Sequence, residues 1–217
     1  MERDLIEQHK MLFRPFFVTD EELEIFIQEK LDYRDNSAPR RMLNSAQRLI
    51  TLSDEIDVIC PGRRDLSIFF LITCIESLYQ FIPDHGLRQK QEMPIQFFDQ
   101  YLMPTDRRMI EDGLKIISVN NEVIFQPGIT IEQFALLLIS IRNNVAHEGN
   151  YWSFSFNEEG YDGHTINVLN SKLRKDEGTR EIAYEVGLTY HQFREACIRT
   201  FISFLNEHFA RFSRNTF

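Results

Sequence analysis

Arg142, Asn143, Asn144 and His147 lie together in the run Ile141-Arg142-Asn143-Asn144-Val145-Ala146-His147-Glu148-Gly149. Arginine is a permanently charged fork that matches phosphate oxygens. Histidine gives or takes a proton near neutral pH. Together they are a minimal kit for cleaving RNA without a metal. The imidazole handles a proton of the 2′-hydroxyl or of the leaving oxygen, and the guanidinium stabilises the charged phosphorane. Asparagine is a poor helix-interior residue, so Asn143-Asn144 at the end of an apolar helix breaks a local rule, as functional sites tend to do. Five residues at about 100° each leave Arg142 and His147 roughly 140° apart on an ideal α-helix. Either the arginine bends round or the helix end deforms. The plainer reading is that both residues cap a helix C-terminus and pair with carboxylates.

Other residues bear on this segment. Glu76 falls in a strongly apolar stretch, and a buried carboxylate wants a partner; Arg142 is the natural one. It either orients Arg142 or His147, or lies on the one wet stripe of its helix. Asn143 and Asn144 are supporting candidates, for phosphate contact, for holding the histidine, or for helix-end hydrogen bonds. Tyr151 and Trp152 follow the motif directly, where an aromatic ring can stack on a base; the alternation of the same stretch instead assigns Trp152 and Phe154 to a core. Arg40-Arg41, Arg63-Arg64, Arg107-Arg108 and Lys172-Leu173-Arg174-Lys175 either line a backbone-binding groove or are solvated surface, the simpler reading of each. His147-Glu148 begins like a zincin helix, but Tyr151 stands where the second histidine belongs. Nothing else has metal-ligand spacing, and there is neither a Gly-rich phosphate loop nor a GxSxG elbow. No metal and no cofactor are expected.

The elements that must position these residues are mostly helices. Thr19-Asp20-Glu21-Glu22 is a capping box, followed by Leu23, Phe26, Ile27 and Leu31 at helical spacing. After Asn36-Ser37-Ala38-Pro39, a second amphipathic helix runs through Met42, Leu43, Ala46, Leu49 and Ile50 to a stop before Cys60-Pro61-Gly62. Leu66 to Ile82 is apolar around most of its circumference, as a central bundle helix is, with Pro83 as its stop. The stretch from Asp84 to Pro104 reads as loop and short helix, and Asp106 to Lys115 as a further helix. Ile116 to Phe125 suggests a short hairpin around Asn120-Asn121. Thr130-Ile131-Glu132-Gln133 caps the helix that carries the motif, which stops at Gly149. Tyr151–Phe156, Thr165–Leu169 and Ile182–Val186 alternate and read as three antiparallel strands, with turns at Glu159-Gly160 and Glu177-Gly178. Thr189-Tyr190-His191-Gln192 caps a last helix whose apolar stripe runs from Phe193 to Phe212. The expectation is a mainly α fold: a bundle of five or so helices forming one domain over residues 1–217, with a small β-meander inserted at about 151–187 before the C-terminal helix.

The Arg142-Asn143-x-x-x-His147 pattern at the end of an apolar helix, within an all-α bundle, resembles the HEPN superfamily (higher eukaryotes and prokaryotes nucleotide-binding). Its signature is Arg, four to six residues, then His, with Asn often following the Arg. The spacing alone also matches Arg3 and His9; the Asn and the apolar helix set Arg142 and His147 apart. The resemblance implies a bundle that usually forms a homodimer, with two motifs facing each other across one cleft. It implies a metal-independent endoribonuclease, of the kind found in toxin–antitoxin, phage-defence or RNA-processing systems. In that scheme Arg142 and His147 are catalytic and Asn143 supports them. Other members lack catalysis and bind a nucleotide, RNA or a protein partner. The meander is not part of the basic family pattern.

Composition limits the alternatives. With 43% apolar and 26% charged residues the 217-residue chain has the make-up of a soluble globular protein, and its 19 phenylalanines supply a large apolar core. No stretch reaches the roughly 18 uninterrupted apolar residues of a membrane span. Met1-Glu2-Arg3-Asp4 does not open a secretory signal. Cys60, Cys74 and Cys197 suggest a reducing compartment rather than a disulfide framework, so a cytoplasmic location is expected. The net charge of -9 argues against loose, whole-surface binding to nucleic acid or anionic membrane, without excluding a small basic cleft.

Overall fold

The computed structural model describes residues 2–214 apart from residues 35, 83–85, 87, 88 and 161. Among these, eight helices and four strands are present: α1 (Glu2–Phe13), α2 (Asp20–Leu31), α3 (Ala38–Ile59), α4 (Arg64–Tyr79), α5 (Glu92–Tyr101), α6 (Pro104–Gly113), β1 (Leu114–Val119), β2 (Glu122–Gln126), α7 (Ile131–Asn143), β3 (Thr165–Ser171), β4 (Arg180–Val186) and α8 (Tyr190–Arg214). A 3₁₀ turn follows α1, and a π turn, Asn144–Glu148, continues α7. The fold is mainly α with a small antiparallel sheet. The bundle has more helices than the five or so expected, because α1 and α5 are short amphipathic elements that the sequence marks weakly. Pro83 lies outside the described residues, as do the side chains of Arg3 and Phe212.

All three capping boxes form. Thr19, Thr130 and Thr189 each accept the N–H of the residue three positions on, at 3.2 to 3.3 Å, while that residue's side chain accepts the threonine N–H. Each box satisfies two donors that a helix start otherwise leaves bare.

Helix α4 is central. It packs on α3, α5 and α7 and buries Ile68, Leu71, Ile72, Cys74, Ile75, Leu78 and Tyr79. Small residues let α3 and α4 come close: Ser53 Oγ donates to Ser67 O and Ser67 Oγ to Ser53 O, at 3.1 and 2.9 Å, and both serines are buried. Phe97, Phe98, Phe134, Phe193, Phe201 and Phe204 fill the space between α5, α7 and α8. The sheet's Ile116, Leu169, Ile182, Tyr184 and Val186 belong to the same apolar cluster.

The sheet is larger than the expected meander and differently composed. Its order is β2-β1-β4-β3, all antiparallel. The hairpin at Asn120-Asn121 forms: both asparagines have positive φ, 50° and 65°, as a tight two-residue hairpin turn requires. Its strand β1 pairs with β4, so the sheet combines two hairpins that residues 127–164 separate in the chain rather than forming a single insertion. Tyr151–Phe156, expected as a strand, is not one. It runs irregularly beside β3, with one isolated bridge, Asn157 to Thr189. Side chains take its backbone bonds instead: Asn167 accepts the Ser155 N–H at 2.7 Å and donates to Ser155 O at 2.9 Å. The alternation of burial persists in Phe154 and Phe156, which are buried, but Trp152 is 60% exposed and not core.

Candidate functional site

The last turn of α7 does not stay α-helical. From Asn144 to Glu148 the backbone forms a π turn, closed by Gly149 with φ 63°, whose N–H donates to Asn144 O. A π turn bonds residue i to i+5, so each residue advances by less than the α-helical 100°. Of the two alternatives, a bent arginine or a deformed helix end, the helix end does deform, and the wider turn reduces the angular offset between the two positions. The sequence at this point, two asparagines and β-branched Val145, holds an α-helix poorly.

Arg142 and His147 stand in opposite circumstances. The Arg142 side chain is 15% exposed and its guanidinium Nη2 donates to Glu76 Oε1 of α4, whose side chain is 16% exposed. The pairing expected from sequence is therefore present. The Nε of Arg142 is buried with no hydrogen-bond partner among the described residues. His147 is exposed on the π turn and makes no hydrogen bond or ion pair among the described residues. Glu76 is on Arg142, not on His147.

The two asparagines line one small cleft together, and Asn144 makes a further bond. Asn144 Nδ2 donates to Ser153 Oγ at 3.3 Å. The cleft, of about 260 Å³ beside β3, also has Ser140, Glu148, Asn170 and Lys172 among its walls. Beyond the π turn the chain is pinned by a residue the sequence did not single out. Asp65, fully buried in the first turn of α4, accepts from Ser153 N at 2.8 Å and Ser153 Oγ at 2.7 Å through one oxygen, and from Phe154 N at 3.2 Å through the other. Burial pushes the Asp65 carboxyl above its ordinary range, against these three bonds, which favour the charged form. An acid in a first helical turn is so common that the sequence offers no signal for this role, and nothing in it marks Ser153.

Tyr151 and Trp152 follow on this pinned stretch. Their rings meet edge to face with centroids 4.9 Å apart, and they are 37% and 60% exposed. The Arg63 guanidinium lies over the Trp152 ring, 5.7 Å from its centroid. Its neighbour Arg64 pairs with Asp57 at 3.0 Å and covers Tyr190. The other basic groups have structural partners too: Arg41 lies on Phe81, Arg107 on Asp99, Arg108 on the Pro104 carbonyl, Arg174 on Glu177 and Lys175 on Glu92. Among the described residues, no helix is long and apolar enough to cross a membrane.

The structure thus unites Arg142 with Glu76 and links the π turn through Ser153 to Asp65, and it puts Asn143 and Asn144 together on the wall of one small cleft. No family model, no curated protein and no solved structure matches this chain, so the reading of the site rests on these residues and their chemistry.

Proposed function

We propose that the chain is a metal-independent endoribonuclease of the HEPN type, acting as a homodimer in which two copies of the π turn share one RNA-binding cleft. The observation that supports this reading is the contrast between a guanidinium bonded to Glu76 at the end of α7 and an exposed imidazole five residues on, in the π turn, with no hydrogen bond or ion pair among the described residues. In the reaction, the RNA 2′-hydroxyl loses its proton to a base and its oxygen bonds to phosphorus. The bond from phosphorus to the 5′ oxygen then breaks, and that oxygen takes up a proton. The products are a 2′,3′-cyclic phosphate and a 5′-hydroxyl end. His147 serves one of the two proton transfers and the second copy's histidine serves the other. Arg142 stabilises charge on the phosphorane. Asn144 positions the turn through Ser153.

A second reading, favoured by the charge that Glu76 takes from Arg142, is a module that holds an RNA end or nucleotide without cutting it. The two separate in one assay. Purified wild-type protein and His147→Ala are incubated with RNA in EDTA, and products are resolved by end chemistry. A fall of about 10²–10⁴-fold in cleavage for the variant is expected. Equal activity of the two proteins refutes the catalytic reading. Binding without cleavage by either protein selects the second.

A further inference from the structure

The tryptophan after the π turn is held in an unusual way. Tryptophan is among the largest contributors of buried apolar area, and this chain buries Phe154 and Phe156 close by, yet leaves Trp152 60% exposed. The exposure is not a loose end. Trp152 N–H donates to Asn150 Oδ1 at 3.3 Å, and the next two residues are bound to buried Asp65 by three hydrogen bonds. A solvent-facing indole therefore sits on a fixed backbone. Tyr151 meets it edge to face, and Arg63, exposed and without an ion pair among the described residues, lies over its ring.

We infer that Arg63, Tyr151 and Trp152 form a stacking platform for unpaired bases of single-stranded RNA. The inference rests on the ribonuclease reading for the nature of its ligand. Three observations support it. An exposed aromatic pair with an adjacent guanidinium is the chemistry that holds bases by their faces, because every base has a π-face whatever its sequence. The platform is tied to the reacting turn: Asn144 of the π turn donates to Ser153, which sits on Asp65. The five residues from His147 to Trp152 span at most about 18 Å, within reach of one short oligonucleotide. Finally, the chain carries a net charge of -9, with Arg64 on Asp57 and Arg142 on Glu76. Long-range charge works against RNA here, so capture must depend on short-range stacking, which a duplex, whose bases are already stacked and paired, cannot offer.

Trp152 is the chain's one tryptophan, so its fluorescence reports on the platform alone. The test titrates His147→Ala, which leaves the RNA intact, with a mixed-sequence single-stranded octaribonucleotide and with the same sequence as a duplex. Saturable quenching by the single strand, and little by the duplex, is expected. By anisotropy of a labelled octaribonucleotide, Trp152→Ala weakens binding about 5- to 150-fold, the range for one lost stacked base. Trp152→Phe retains most of it, and Arg63→Ala weakens it without changing the melting temperature. Equal quenching by the duplex, or none by either RNA, overturns the platform. The two proposals fail separately. Cleavage of the octaribonucleotide by wild type without Trp152 quenching removes the platform and leaves the nuclease. Quenching without cleavage leaves the platform and removes the nuclease.

Discussion

At the scale of single residues, Arg142 and His147 are built to opposite specifications, and mutation separates them. His147 is exposed and makes no hydrogen bond or ion pair among the described residues, so His147→Ala is expected to leave stability within about 0.5 kcal/mol of wild type. Arg142 and Glu76 are mostly buried and face each other across α7 and α4. Removing either partner leaves the other's charge half-desolvated, which costs on the order of 1–3 kcal/mol. Glu76→Ala is therefore expected to destabilise clearly, Glu76→Gln to cost less because one acceptor survives, and the double variant Glu76→Ala with Arg142→Ala to cost less than the two single changes together. Urea denaturation of wild type, Glu76→Ala, Glu76→Gln, Arg142→Ala and the double variant checks this. Strict additivity would mean that the pair is not an energetic unit.

At the scale of elements, the segment from the π turn to Phe156 behaves as a strap with its buckle on α4. Asp65→Ala removes the acceptor for two backbone N–H groups and one hydroxyl at once, a cost of roughly 2–4 kcal/mol. Amide exchange at Ser153 and Phe154 is expected to accelerate far more than exchange in the centre of α4; uniform acceleration would instead indicate global destabilisation alone. Helix α2 carries a converse case. Lys30 is buried with its Nζ between the Phe26 and Phe209 rings, 4.1 and 5.0 Å from their centroids, and burial lowers its pKa to about 8. The fold tolerates this charge rather than needing it. Lys30→Met fills the same volume without the desolvated ammonium, and although it gives up the cation–π contacts it is expected to raise stability by about 1 kcal/mol at pH 7. A thermal melt at pH 7 showing a lower midpoint would mean that those contacts outweigh desolvation.

For the whole molecule, the buried histidines couple stability to pH on the acid side. His208 of α8 is 4% exposed, and its Nε2 shares a hydrogen bond of 3.1 Å with the Tyr101 hydroxyl of α5. Burial, with help from Arg211 and against Glu207, lowers its pKa from 6.5 to about 4. His9, buried beside Asn44, is shifted downward for the same first reason. For such groups the unfolded chain takes up a proton at a higher pH than the folded one does. Stability is thus full above about pH 6.5, falls as pH drops from there to about 4, and stops falling on this account below that. His208→Gln, neutral at all pH, is expected to flatten this slope in denaturation midpoints taken between pH 7 and 4. An unchanged slope would assign the acid sensitivity to other groups.

What the chain encodes locally was legible in its sequence. The capping boxes at Thr19, Thr130 and Thr189, the all-round apolar α4, the Asn120-Asn121 hairpin and the pairing of Arg142 with Glu76 follow from periodicity, turn chemistry and the cost of an unpaired buried charge. The Arg142–His147 spacing left a bent arginine or a deformed helix end as alternatives, and the helix end is deformed. The fate of residues 151–156 was not legible. Their alternation reads as a strand, but period reports only which side chains seek the core, not which groups satisfy the backbone. Those groups are Asp65, 88 residues away from Ser153, and the Asn167 side chain. Because they hold the chain outside the ladder, Phe154 can turn inward while Trp152 is left in solvent beside Arg63. That placement, and the joining of two distant hairpins through β1 and β4, depend on contacts that exist only once the helices have packed, and no local pattern could state them.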